Sequence, residues 1–116
     1  MSAIVRNDPN PRLARSVVHG NTIYLTGVST TVGNDIVAHT QEVLRRIDGY
    51  LTAAGSDKTR VLQATIWLKN IQRDFPGLNE VWVPWIGENV PARSTCQAEL
   101  AEDAELVEIT IIAAIL

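Results

Sequence analysis

Residues 91–115, "PARSTCQAELAEDAELVEITIIAAI", contain two strands and the turn between them, and their reading decides the fold. Arg93, Thr95, Gln97 and Glu99 alternate with Ser94, Cys96 and Ala98, which is the period of a strand over 93–99. A second strand is predicted over 106–115, where Val107, Ile109, Ile111 and Ala113 form an unbroken apolar row. Leu106, Glu108, Thr110 and Ile112 share its opposite face. The polar "LAEDAE" between the strands suits an antiparallel return. Two residues stand out: an arginine at the mouth of one strand and a lone carboxylate inside the most apolar one.

Upstream, "RVLQATIWL" (60–68) also alternates, with Leu62, Ala64, Ile66 and Leu68 apolar. "FPGLNEVWVPWIGEN" predicts a helix starting near Pro76, since proline suits a first helical turn, with Pro84 ending it early. Before these, Ile36, Val37, Thr40, Val43, Leu44, Ile47, Leu51 and Ala54 recur at helical spacing, and Gly55 occupies a C-cap position. "ARSVVHGNTIYLTG" reads as strands near 15–19 and 22–26, joined by Gly20-Asn21, both tolerant of positive φ. The order is β-β-α-β-α-β-β, an α+β class with one mixed sheet. Right-handed crossovers would place both helices on one face. The small set Ser94, Cys96 and Ala98 would then pack beneath the helices, and Arg93, Thr95, Gln97 and Glu99 would face the open side. That open face is too apolar for plain solvent, which predicts a homo-oligomer formed through it.

The chain of 116 residues is the size of one domain, able to bury roughly two thirds of its unfolded surface. The net charge of −3 gives no electrostatic footprint for nucleic acid or anionic membrane. The N-terminal "MSAIVRNDPNPRL" lacks a signal-like apolar stretch, and no segment reaches a membrane span of about 18 apolar residues. With a single cysteine, no intramolecular disulfide can form, and a cytoplasmic location is expected.

Lone residues read blandly. Cys96 is a small core residue, since no histidine is linked to it by motif. His19 at the hairpin and His39 on the first helix read as surface or boundary residues, with no third ligand to make a metal site. Trp67, Trp82 and Trp85 read as core or interface aromatics. Arg45-Arg46 is a solvated helix face, too small for a nucleic-acid patch.

Pro-Ala-Arg opening one strand, with Val-Glu-Ile on the next fifteen residues after the arginine, resembles the RidA (YjgF) family. "AAGSDKTRVLQATIWLKNIQRDFPGLNEVW" and "SVVHGNTIYLTG" resemble it too, so the likeness runs from about residue 13 to the end. It implies a chorismate-mutase-like fold, a homotrimer with sites at subunit interfaces, and hydrolysis of 2-imino acids and their enamine tautomers to 2-oxoacids and ammonia. In enzyme terms, it implies a 2-iminobutanoate/2-iminopropanoate deaminase-like hydrolase that needs no cofactor, because protonated imines already react with water.

Within that resemblance, Arg93 would bind the substrate carboxylate with its planar fork of donors, and Glu108, on the neighbouring strand, would orient or deprotonate water. Burial should raise the Glu108 pKa and a nearby arginine lower it, and the sequence does not decide between them. Thr95, where the family often carries cysteine, would line the pocket. Gly27 would let backbone approach the ligand, and Asn79 matches the asparagine of the second helix. The tyrosine of the family's "GPYSQ" is replaced near Leu13, and the glutamine after the hairpin glycine by Val28, which bears on substrate range. Alternatively, Arg93 and Glu108 form a structural ion pair between subunits, where losing one partner would cost about 3–5 kcal/mol. A pocket of this kind could also bind a 2-oxoacid without turnover. RNA cleavage, ascribed to some family members, is disfavoured by the negative charge. Chorismate mutase activity does not follow from fold alone.

Overall fold

The computed structural model describes residues 3–115. The hairpin predicted from Gly20-Asn21 forms between β2 (Ser16–His19) and β3 (Thr22–Leu25), paired from Ser16↔Leu25 to His19↔Thr22. Gly20 takes a positive φ of 61°, and Asn21 does not share it.

Helix α1 (Ile36–Ala53) follows the predicted stripe, burying Ile36, Thr40, Val43, Leu44, Ile47 and Leu51. Asp35 caps its N-terminus by accepting from the Ala38 N–H at 2.9 Å, and Gly55 leaves the helix at φ 83°. His39, expected near the surface, is only 2% exposed, and its Nε2 lies 2.9 Å from the Gly33 carbonyl.

Helix α2 (Ile71–Ile86) starts five residues before Pro76, behind an Asn70 cap that accepts from the Arg73 N–H at 3.0 Å. Pro76 and Pro84 both lie inside it. Each is exposed, as are Gln72 and Glu80 one turn earlier, so water can satisfy the carbonyls the prolines leave unpaired.

Strands β5 (Val61–Leu68), β6 (Ala92–Gln97) and β7 (Val107–Ala114) complete the expected order. A bulge between Val61 and Gln63 carries Leu62 out of its predicted row, leaving it 51% exposed. Two short strands escaped the sequence reading: β1 (Ile4–Asn7), paired to β2, and β4 (Val28–Ser29), paired to β7. Neither is long enough to show a period. The sheet order is β1-β2-β3-β7-β5-β6, with β4 also on β7. The fold is the predicted α+β arrangement, a mixed sheet with α1 and α2 packed together beside it.

Topology overturns two expectations that bear on the site. Strands β6 and β7 are not neighbours, because β5 pairs with both, in parallel to β6 and antiparallel to β7. The parity of β6 is also reversed. Ala64, Ile66 and Leu68 must sit in the core with Val107, Ile109 and Ile111, and all six are 0% exposed. Arg93 pairs with Ala64 and Thr95 with Ile66, so the odd residues of β6 share the helix side. Cys96, expected in the core, is exposed on the other face with Ser94.

Candidate active site

Arg93 leaves β6 on the helix side, where the flank of α2 receives it. Its Nη1 donates to Asn79 Oδ1 at 2.8 Å, and its guanidinium carbon lies 5.5 Å from the Trp82 ring centroid and 5.8 Å from that of Phe75. Phe75, Asn79 and Trp82 stand four and three residues apart, so one face of a helix presents all three. The rings contribute cation–π attraction and exclude water on two sides. This burial pulls the Arg93 pKa down from its ordinary value. No carboxylate among the described residues comes within ion-pair distance of Arg93. Thr95, two residues along the same side, has a buried hydroxyl with no hydrogen-bond partner among the described residues.

Glu108 faces the opposite way. It sits across from Trp67 on β5 and Ser29 on β4, and Trp67 in turn opposes Cys96. All belong to the helix-free face. The carboxylate lies over Gly27: a Cβ there would run into Glu108 Oε2 and come within 3.1 Å of Thr110 Oγ1. Glycine is therefore what leaves room for the acid. Burial, followed by the charge of Glu105, pushes the Glu108 carboxyl above the ordinary glutamate value. Among the described residues no cation acts against that rise.

The five sequence-derived residues thus form two groups. Arg93, Asn79 and Thr95 meet on the helix side of β6, while Glu108 and Gly27 meet on the bare face of β7. A single chain does not bring Arg93 to Glu108. Val28 points into the core at 3% exposure, and Leu13 is 42% exposed in a turn closed by the Asn10 N–H to its carbonyl. The reading also missed Phe75 and Trp82, whose spacing about Asn79 would have joined them to Arg93 had the β6 parity been right. It missed Ser29 and Glu105 too, on an unrecognised strand and in a loop. Arg45 and Arg46 both bind Glu42, holding its carboxyl down at about 2, and Arg46 Nη1 also donates to the Ser29 carbonyl at 3.0 Å.

Elsewhere, a cavity of about 480 Å³ opens between the end of α1 and strands β1 and β2, lined by Asn7, Arg15, Val18 and Tyr50 among others. None of the candidate residues borders it. Among the described residues, no three His, Cys, Asp or Glu side chains converge as a metal ion requires, and no helix is long and apolar enough to cross a membrane.

Comparison with known proteins gives a consistent set of relatives. The family model described as endoribonuclease L-PSP matches residues 4–115. The RutC family protein YoaB of Escherichia coli K12 is 39% identical over 113 residues, covering 97% of this chain and 98% of its own. The crystal structure of NMB1025, a YjgF family member from Neisseria meningitidis, superposes with a TM-score of 0.94 at 34% identity, covering 98% of this chain and 96% of that one. Rv2704 of Mycobacterium tuberculosis, described as a YjgF/YER057c/UK114 family member, follows at TM-score 0.88 and 26% identity, covering 97% and 100%.

Proposed function

Because this chain belongs to the RutC/YjgF family, the group whose model is described as endoribonuclease L-PSP, we propose that it hydrolyses 2-imino acids, and enamines through their imine tautomers, to 2-oxoacids and ammonia. One observation carries the reading. Arg93 is a partly desolvated guanidinium, oriented by Asn79 and two aromatic rings, with no carboxylate among the described residues to neutralise it. Such a group is prepared for a carboxylate brought by a ligand.

The complementary half is Glu108, whose raised proton affinity suits a general base. Since the halves lie on opposite faces of one sheet, the site is composite. The β6–α2 edge of one copy meets the Gly27–Glu108 surface of the next. Such an edge-to-face contact is heterologous, and it closes into a ring. A homotrimer with three equivalent sites is the assembly proposed.

In this site Arg93 grips the carboxylate and leaves the C=N carbon toward Glu108 of the adjoining copy. Glu108 takes a proton from water as the oxygen bonds to that carbon, and the π pair of C=N moves to nitrogen. The acid then returns the proton to nitrogen. The C–N bond breaks and ammonia leaves as the hydroxyl proton passes to the Glu108 carboxylate and the new carbonyl forms. Ammonia then takes that proton as ammonium, restoring the base. Protonated imines are electrophilic enough for this step, so the chemistry calls for no cofactor.

The test follows loss of 2-imino acids generated in situ by an amino-acid oxidase, trapped with semicarbazide. Wild type should accelerate hydrolysis, and Arg93→Ala and Glu108→Gln should each lose it by about 10²–10⁴-fold for the base. Folded, oligomeric wild type that leaves the buffer rate unchanged across small and bulky imines would remove the deaminase reading. A ligand-binding role for a 2-oxoacid at the same arginine would then take its place.

A further inference from the structure

Glu105 is a buried carboxylate that the mechanism above does not use. It is 6% exposed, three residues before Glu108 at the entrance to β7. Its Oε1 accepts from the Glu102 N–H at 2.9 Å, and its Oε2 accepts from the Ser29 hydroxyl. Both oxygens are therefore occupied, and the group is not free to touch a substrate. Ser29 is also the residue that pairs with Glu108 across β4 and β7. One serine thus ties the buried acid to the strand position facing the proposed base.

Resting on the deaminase reading, we infer that Glu105 is a positioning residue: clamped by Ser29 and the Glu102 N–H, its carboxylate is held beside Glu108 and so strengthens Glu108 as a base. Among the described residues of its own copy no cation acts on Glu108, and in the proposed assembly Arg93 of the adjoining copy opposes the effect of Glu105. Trp67 on β5 and Thr110 on β7 are neutral, and Cys96 lies one strand further away. Arg46 of α1 donates to the Ser29 carbonyl and shares Glu42 with Arg45, so its charge is only partly offset. Both carboxylate oxygens of Glu105 are engaged by donors, whereas no hydrogen-bond donor reaches Glu108 among the described residues. Burial first, and the neighbouring Glu105 second, raise the proton affinity of Glu108. Bulk water has to surrender one proton there in the attack step, and the neighbouring charge favours its transfer.

The experiment uses the intact oligomer with ¹³C-labelled glutamate. The Glu108 carboxyl resonance is assigned by its loss in Glu108→Gln and titrated in wild type, Glu105→Gln and Ser29→Ala. Glu105→Gln should move the Glu108 midpoint down by at least ~0.5 pH unit, and Ser29→Ala should move it the same way by less. The acidic limb of kcat/KM should shift with it. An unchanged Glu108 midpoint in both folded variants overturns the inference, because a purely structural Glu105 would leave it in place. Should Glu105→Gln not fold, Ser29→Ala alone decides. A shifted midpoint in a wild type that turns over no imine keeps the role of Glu105 and sinks the deaminase reading instead.

Discussion

Arg93 and Glu108 are each placed against the ordinary preference of their surroundings. Burial lowers the proton affinity of one and raises that of the other, and neither has an ion-pair partner among the described residues. For Glu108 this has a consequence for stability. Its folded carboxyl holds a proton to higher pH than the unfolded chain does, so its contribution is fully present below the ordinary glutamate value and falls as pH rises through the raised folded value. Glu108→Gln removes that loss. The variant should match wild type in thermal midpoint below about pH 4 and exceed it at neutral pH. Paired melting scans across that range check this, and equal midpoints at pH 7 would contradict the desolvation of Glu108. A cost in stability of this kind is the usual compromise of a functional site, as the proposed role of Glu108 would have it.

Helix α2 supplies what holds Arg93, so its seating matters beyond stability. It packs on α1 at Gly77, where a Cβ would come within 2.5 Å of Ile36 Cγ2. A branched side chain one residue inside the α1 cap has little room to yield. Gly77→Ala should therefore destabilise the protein by about 1–3 kcal/mol, read as a lowered urea midpoint at unchanged slope. The Asn70 cap explains why α2 could not be read correctly from its prolines. Proline at a first turn is a statistical preference, whereas Asn70 capping the Arg73 N–H is a bond that fixes the start. The strand β6 errs in the opposite sense. Its alternation was legible, but alternation gives two faces without saying which is which. The register with Ala64 and Ile66 chose, and those two belong to the core.

At the scale of the molecule, the proposed site, divided between copies, makes a prediction that no single-chain site shares. Arg93→Ala and Glu108→Gln subunits, each inactive alone, should regain activity when unfolded together and refolded as mixed rings. An intact site needs Arg93 from one subunit and Glu108 from the next, each present half the time, so recovery should approach about a quarter of wild type. Light scattering on the same samples should give three chains per particle. Mixed trimers that stay inactive would show that Arg93 and Glu108 do not act across an interface.

The sequence by itself determined the order of the longer elements, though not the short strands β1 and β4, and with it the core stripe of α1, the apolar row of β7 and the family, because periodicity and motif spacing are local properties of the chain. It also yielded Arg93, Asn79, Thr95, Gly27 and Glu108 as candidates. Only the tertiary structure decided that these fall into two groups on opposite faces of the sheet. That outcome depends on β5 entering between β6 and β7, a pairing between segments distant in the chain. Neither the alternation within β6 nor the fifteen-residue spacing from Arg93 to Glu108 carries a record of it.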